Sequence, residues 1–143
     1  MFLPGLNYKR STFEADLAEA TKDGLIDVYF DNVGGETLDA CLFGMKEHGR
    51  IAACGAVSRY DGAAPYGVQG TPAIISKRLT VRGFIVTDFF GQAPQALSDL
   101  EGWVRSGQLK VLEDIVDGFE NLPAALVGLL AGENIGKRMV KVA

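Results

Sequence analysis

The chain is poor in the residues that build metal centres and covalent cross-links: 143 residues carry one histidine and two cysteines. Cys41 and Cys54 do not make a disulfide framework, so a reduced, cytoplasmic setting is expected. The lone His48 and two separated thiols offer no ligand spacing, and no metal site is expected. Basic residues are also scarce. Fourteen Lys and Arg face eighteen Asp and Glu, for a net charge of −4, and duplex nucleic acid needs a basic face. No apolar run reaches the roughly 20 residues that cross a bilayer, so no membrane partner is expected. The N-terminus lacks a charged stretch followed by an apolar one, which argues against a secretory leader. There is no internal repeat and no low-complexity segment.

What remains suits one folded domain: 48 % of the residues are apolar, enough for a core at this length. The chain is organised around Leu25-Ile26-Asp27-Val28-Tyr29-Phe30-Asp31-Asn32-Val33-Gly34-Gly35. Ile26 to Phe30 is short, β-branched and aromatic, the pattern of a strand buried on both faces of a parallel sheet. A polar pair and two glycines follow, then a helical pattern. Ligands of open parallel sheets sit beyond the carboxyl ends of strands, so a ligand is expected at the Asn32 to Gly35 corner.

Before that strand, Leu6 to Tyr8 predicts a short strand. Ser11-Thr12-Phe13-Glu14 predicts a capping box for a helix over Phe13 to Lys22, with Phe13, Leu17 and Ala20 inward and Asp23-Gly24 as its stop. After the glycine pair, Leu38, Cys41, Leu42 and Met45 recur on one helical face, and His48-Gly49 ends the helix. His48 there reads as a cation at a helix C-terminus rather than as a catalytic group. Arg50 to Gly55 predicts the next strand, completing a strand–helix–strand unit. Gly55 to Thr71 reads as a long functional loop. Pro72 to Lys77 predicts a short helix and Leu79 to Val86 a strand. Pro94 opens a helix with Leu97, Leu100, Trp103 and Val104 inward, closed by Gly107. Val111 to Val116 predicts a strand. Asn121 and Pro123 open a helix carrying Leu122, Leu126 and Leu129, ended by Gly132, and Gly136 to Val142 alternates as a terminal edge strand.

Six segments resemble one family in order and spacing. They are Asn7-Tyr8-Lys9, Tyr29 to Gly35, Gly49 to Tyr60, Gly83 to Val86, Phe119 to Pro123 and Gly132 to Lys137. Together they resemble the zinc-independent medium-chain dehydrogenases/reductases, in the branch of prostaglandin reductases and alkenal/alkenone double-bond reductases. The resemblance implies an α/β fold: a truncated, Rossmann-like, mostly parallel sheet with helices on both faces and a C-terminal strand–helix–strand tail. It implies a partial NAD(P)-binding domain over residues 1–110 and a return segment over 111–143. Relatives also carry a GroES-like domain and a first βαβ unit with a Gly-rich phosphate loop. No G-x-G-x-x-G follows a strand in this sequence; such a loop aims backbone N–H groups at a pyrophosphate, so cofactor affinity is expected to be low without it.

The resemblance further implies NADPH as cofactor and an enone or enal as substrate. Hydride goes to the β-carbon of the double bond, and no side chain of this chain is expected to be catalytic. The implied cofactor-binding residues are Tyr8, Asn32, Cys54, Gly55, Ala56, Val57, Ser58, Arg59, Tyr60, Phe84, Ile85, Val86 and Asn134. Tyr8 matches a tyrosine near the adenosine 2′-phosphate, with Lys9 or Arg10 able to assist. Phe84, Ile85 and Val86 match the strand end beside the nicotinamide. Thr87, Asp88, Phe89 and Phe90 follow that triplet where relatives often place an aromatic first, which departs from the pattern at the substrate side. Each residue has a plainer reading. Asn32 is a helix cap, Cys54 an inert small hydrophobe, Asn134 a C-cap and Tyr8 a packing residue. Three functional readings follow: part of an enone reductase, alone or completed by a partner chain; a non-catalytic fragment kept as an assembly or homodimerisation module; or another half-Rossmann binder such as a methyltransferase.

Overall fold

The structure, a computed structural model, describes residues 5–22, 25–60 and 64–142. The chain divides into two compact units, residues 1–88 and 89–143. The first holds a three-stranded sheet and the second a two-stranded one, and the pairings within both are parallel. The expected α/β architecture is therefore present.

In the first unit, Asn7 makes a turn where a strand was predicted. Its Oδ1 accepts the Lys9 N–H at 3.0 Å and its carbonyl the Arg10 N–H at 3.1 Å, the local bonding by which Asn competes with extended structure. Helix α1 spans Phe13–Ala20 behind the N-cap Thr12, which makes no side-chain cap bond. The predicted capping box does not form: it needs Ser11 at the N-cap with Glu14 three residues on, but the N-cap is Thr12, followed at that spacing by Ala15, and the Thr12 hydroxyl donates to Asp16 at 2.9 Å, one turn on. Phe13, Leu17 and Ala20 are half-buried; the predicted stop at Asp23-Gly24 lies outside the described residues.

Strand β1 (Ile26–Asp31) is an edge strand beside β2 (Met45–Ala53), which pairs in turn with β3 (Thr80–Gly83). Between β1 and β2 runs α2 (Gly35–Gly44), and before β3 runs α3 (Thr71–Ser76). Register pairs Tyr29 with Ile51, and the helices cover that face. Leu42, Met45, Ile51, Ala73 and Leu79 form the core, with Ile26, Tyr29, Leu38 and Ile74 packed against it. Complete burial of side chains such as Leu42, Met45 and Ile51 contributes about 1.5–3 kcal/mol each. The opposite face of β1 is open: Val28 and Phe30 are 53 % and 54 % exposed. The prediction of burial on both faces is corrected, since an edge strand with helices over one face buries only alternate residues.

Helix α2 stops at Gly44, four residues before the predicted end, and Met45 is already extended at φ −71° and ψ 148°. Lys77 Nζ donates to the Phe43 and Met45 carbonyls, satisfying acceptors that a helix C-terminus leaves free. Met45 still enters the core, now from the strand. The β1–β2 register jumps from Ile26↔Met45 to Val28↔Arg50, so Lys46 to Gly49 form an excursion in which His48 takes φ +62°. His48 is thus an exposed residue of that excursion, with its N–H on the Lys77 carbonyl at 2.8 Å. Strand β3 ends at Gly83, three residues short of the prediction. The Phe84 N–H makes one more bond to the Ala53 carbonyl at 3.2 Å, and a 3-10 segment over Val86–Gln92 takes over.

In the second unit, α4 spans Ala93–Arg105 with Pro94 in its first turn, as predicted. Its apolar stripe is not inward, however. Leu97, Leu100, Trp103 and Val104 are 60 %, 41 %, 49 % and 43 % exposed; amphipathic spacing marks a stripe that can be covered, and no residue of α4 is buried. Strand β4 (Glu113–Asp117) pairs with β5 (Lys137–Lys141) across α5 (Leu122–Ala131). Asn121 and the left-handed Gly132 bracket α5 as predicted, but it buries Ala125 and Gly128 rather than its leucines. Beneath, Arg138 Nε and Nη2 both donate to one Asp114 oxygen at 3.0 and 2.7 Å. Gly128 passes close over this pair, and a Cβ there would collide with Glu133 and Arg138.

Candidate functional site

The site grows from the carboxyl end of β1. Asp31 is 2 % exposed, and its Oδ1 accepts three donors: Val33 N–H at 3.0 Å, Gly34 N–H at 2.9 Å and the Tyr29 hydroxyl at 2.9 Å. This carboxylate caps the approach to α2 through the N–H groups of Val33 and Gly34, the two residues ahead of the helix. Gly34 and Gly35 take φ +69° and +56°, values that favour glycine. Burial first, then neighbouring Cys41 and Asp31, push the Tyr29 phenol above its ordinary value. Burial likewise raises the Cys41 thiol, which sits under the sheet and not in the site.

The loop after β2 is tied to this turn bond by bond. Asp31 carbonyl accepts Cys54 and Gly55 N–H at 2.8 and 3.1 Å, and Asn32 carbonyl accepts Val57 N–H at 3.1 Å. Val33 carbonyl accepts the Ser58 N–H at 3.1 Å and its hydroxyl at 2.6 Å. A Cβ on Gly55 would stand 3.1 Å from the Asn32 carbonyl oxygen, and one on Gly35 3.0 Å from Ser58 Oγ. The two loops therefore form one frame.

Beside the frame is a cleft of about 580 Å³, lined by Tyr8, Lys9, Arg10, Ser11, Val33 to Thr37, Ser58, Arg59, Ala64 and Tyr66. Three cations meet one carboxylate, Glu36, at the N-terminus of α2, whose N–H groups and dipole favour an anion. The far wall comes from the loop between β2 and α3. Asp39, in the middle of α2 and 6 % exposed, accepts the Tyr66 hydroxyl at 2.7 Å and the Gln69 and Gly70 N–H groups at 2.9 and 2.7 Å. Burial works to raise the Asp39 carboxyl, but the bonds from Gln69, Tyr66 and Gly70 outweigh it and hold the group below the usual carboxylate value. The bond to Asp39 pushes the Tyr66 phenol up to about 12. A second cleft, of about 470 Å³, lies along α1 and α2 and shares Tyr66, with Leu17, Asp39 and Phe43 in its lining.

Of the residues singled out in the sequence, Tyr8, Ser58 and Arg59 share the first cleft. Asn32, Cys54, Gly55 and Val57 belong to the hydrogen-bonded frame, and Ala56 packs where a Cβ on Gly34 would lie, at 3.6 Å. Asn32 exposes its side chain, and the carboxylate that accepts the Gly34 N–H ahead of α2 is Asp31. Tyr60 is 65 % exposed and does not line the cleft. Phe84 lies beyond the strand ends and packs edge-on against Phe30 with centroids 5.7 Å apart; Ile85 and Val86 are exposed. Asn134 is in the second unit, where its amide donates to the Gly136 carbonyl at 2.7 Å. Asp31, Asp39 and Tyr66 were not singled out. An Asp three residues before a glycine pair was the available signal for Asp31; Asp39 and Tyr66 are 27 residues apart and no spacing rule joins them.

Among the described residues, no group of three His, Cys, Asp or Glu could hold a metal ion, and no helix is long and apolar enough to cross a membrane.

Residues 4–102 match the family model described as zinc-binding dehydrogenase. The zinc of that description finds no ligand set among the described residues. The chain is 47 % identical to prostaglandin reductase 1 of Bos taurus over 95 % of its own length and 42 % of the relative's. It is 43 % identical to the NADP(+)-dependent 2-alkenal reductase of Nicotiana tabacum, over 99 % of this chain and 41 % of that one. The crystal structure of CurA in complex with NADPH, from Vibrio vulnificus, superposes with a TM-score of 0.84 at 33 % identity, covering 96 % of this chain and 42 % of that one. The chain thus spans about two fifths of the length of these relatives. It belongs to the zinc-binding dehydrogenase family, on the branch of the prostaglandin and alkenal double-bond reductases.

Proposed function

We propose that this chain forms the rear wall of an NADPH site in an oxidoreductase that reduces the activated carbon–carbon double bond of enones and enals. The observation that carries the reading is the cleft at the start of α2, where Lys9, Arg10 and Arg59 meet helix N–H groups at the carboxyl end of a parallel sheet. That donor set fits a phosphate of a dinucleotide, and two tyrosines beside it fit the nucleoside. The relatives' names supply the substrate class and the cofactor.

In this reading Tyr8, Lys9, Arg10 and Arg59 hold the adenosine 2′-phosphate, and the frame from Asn32 to Tyr60 presents backbone to the nucleotide. Phe84, Ile85 and Val86 flank the nicotinamide. When bound, NADPH supplies the hydride for the β-carbon of the double bond. This chain's residues bind and orient, and the proton that completes reduction comes from solvent or a hydroxyl. Residues 1–110 act as the nucleotide-binding part and 111–143 as the return segment. A small-molecule substrate, a homodimer and a cytoplasmic location complete the proposal.

Titrating the purified chain with NADPH and NADH, followed by nicotinamide fluorescence, tests it. The sequence lacks a Gly-rich phosphate loop, so binding is expected to be weak, with a Kd of about 0.1–1 mM, roughly 4–5 kcal/mol. NADPH is preferred over NADH, and added salt weakens it. No detectable binding at millimolar NADPH, or equal affinity for both nucleotides, overturns the proposal.

A further inference from the structure

We infer that Tyr66 is the base-stacking wall of the nucleotide cleft and that Asp39 is the positioning residue that holds its ring there. The inference rests on the nucleotide reading of the cleft and goes further by assigning the purine to a residue outside the resemblance. Tyr66 lines both clefts, whereas Asp39 lines only the one along α1 and α2. The Tyr66 hydroxyl is donated to Asp39 at 2.7 Å, so its polar tip belongs to that side. What Tyr66 offers to the nucleotide cleft is therefore the ring. An aromatic ring in the lining of a cleft at a cationic helix N-terminus gives one site both elements of a nucleotide, a place for phosphate and a place for the base.

The hold on the ring is built in. Asp39 is 6 % exposed and bonds the Gln69 and Gly70 N–H groups as well as the phenol, fixing the chain on one side of Tyr66. Gly70 is seated so tightly that a Cβ there would stand 2.7 Å from Leu42 Cδ1 and 2.9 Å from Asp39 Oδ1. A ring pinned before the ligand arrives loses little freedom on stacking. Pyrophosphate, which has no base, gains nothing from it.

The test uses the full 143-residue chain and two probes, adenosine 2′,5′-bisphosphate and pyrophosphate, titrated by calorimetry with a thermal melt of each variant. Tyr66→Ala is expected to weaken the bisphosphate about tenfold or more, with pyrophosphate affinity unchanged. Tyr66→Phe keeps the ring but loses the bond to Asp39, so it falls between the parent and Tyr66→Ala. Asp39→Asn, which weakens the same bond, falls in the same interval. If Tyr66→Ala binds the bisphosphate like the parent, the stacking role is overturned while the phosphate reading of the cleft stands. Parallel loss of both probes, or a collapsed melt accompanied by a Tyr66→Phe loss as large as that of Tyr66→Ala, assigns Tyr66 a merely structural part and overturns the inference. A parent chain that binds neither probe overturns the nucleotide reading and this inference with it.

Discussion

Replacing Asp31 by alanine removes the one acceptor shared by Val33 N–H, Gly34 N–H and the Tyr29 hydroxyl. The three donors are not equally stranded. Gly34 is buried, so its N–H has no ready access to water and its loss costs about 1–3 kcal/mol. Val33 and Tyr29 are half-buried, and water can partly replace the carboxylate, at about 0.5–1.5 kcal/mol each. The sum is about 2–6 kcal/mol, a large share of the roughly 5–15 kcal/mol that holds a domain together. For a unit of residues 1–88, a loss near 3 kcal/mol lowers Tm by on the order of 12–24 °C. Urea unfolding followed by far-UV circular dichroism measures it, as a fall in midpoint with the slope unchanged. Tyr29→Phe is the internal control, removing one donor while leaving both N–H bonds, for about 0.5–1.5 kcal/mol. An Asp31→Ala protein within about 1 kcal/mol of the parent, or a Tyr29→Phe protein equally destabilised, would refute the assignment of Asp31 as the cap.

Three further outcomes follow from the same geometry. Asp39 has a lowered folded pKa, so its stabilisation is present above the unfolded carboxylate value near 3.8 and is lost as pH falls through the folded value. The stability advantage of the parent over Asp39→Asn, measured by urea unfolding from pH 6 to about pH 2, should be flat at the upper end and shrink only below about pH 4. Gly70→Ala should cost about 1–3 kcal/mol by overpacking Leu42 and Asp39, read as a lower urea midpoint; a neutral result contradicts the tight seat. In the second unit, Arg138→Ala strands the half-buried Asp114 and should cost about 1.5–3 kcal/mol, whereas Arg105→Ala breaks only an exposed pair with Glu101 and should cost less than about 0.5 kcal/mol.

Elements with strong local signals were legible in the chain. Pro94, Pro123 and Gly132 marked helix ends, and the β-branched run at Ile26 marked a strand; each is where the periodicity put it. Burial was read less well. Val28, Phe30, Leu97 and Trp103 carry the spacing of core residues and stand about half open, because periodicity says which side of an element is apolar and not whether anything covers it. Caps were missed for a related reason. Thr12 has the composition of a cap, but its hydroxyl is committed to Asp16, while Asp31 does the capping from a position that reads as the end of a strand. The cleft was half legible. Tyr8, Ser58 and Arg59 were found through resemblance and share a lining, whereas Tyr66 came from a loop without periodicity and depends on a partner 27 residues away.

The excursion of Lys46 to Gly49 works as a length buffer. In a sheet, a slip of one residue turns each later side chain to the wrong side, and here that would turn Ile51 out of the core and pull Cys54 to Ser58 off the turn they are bonded to. Gly49 fixes where the regular ladder resumes, since a Cβ there would stand 2.6 Å from Met45 Cε. A residue gained or lost between Lys46 and His48 is absorbed upstream of that point. Such insertions and deletions should therefore be tolerated there, and not in the four residues from Arg50 to Ala53 that pair on both sides.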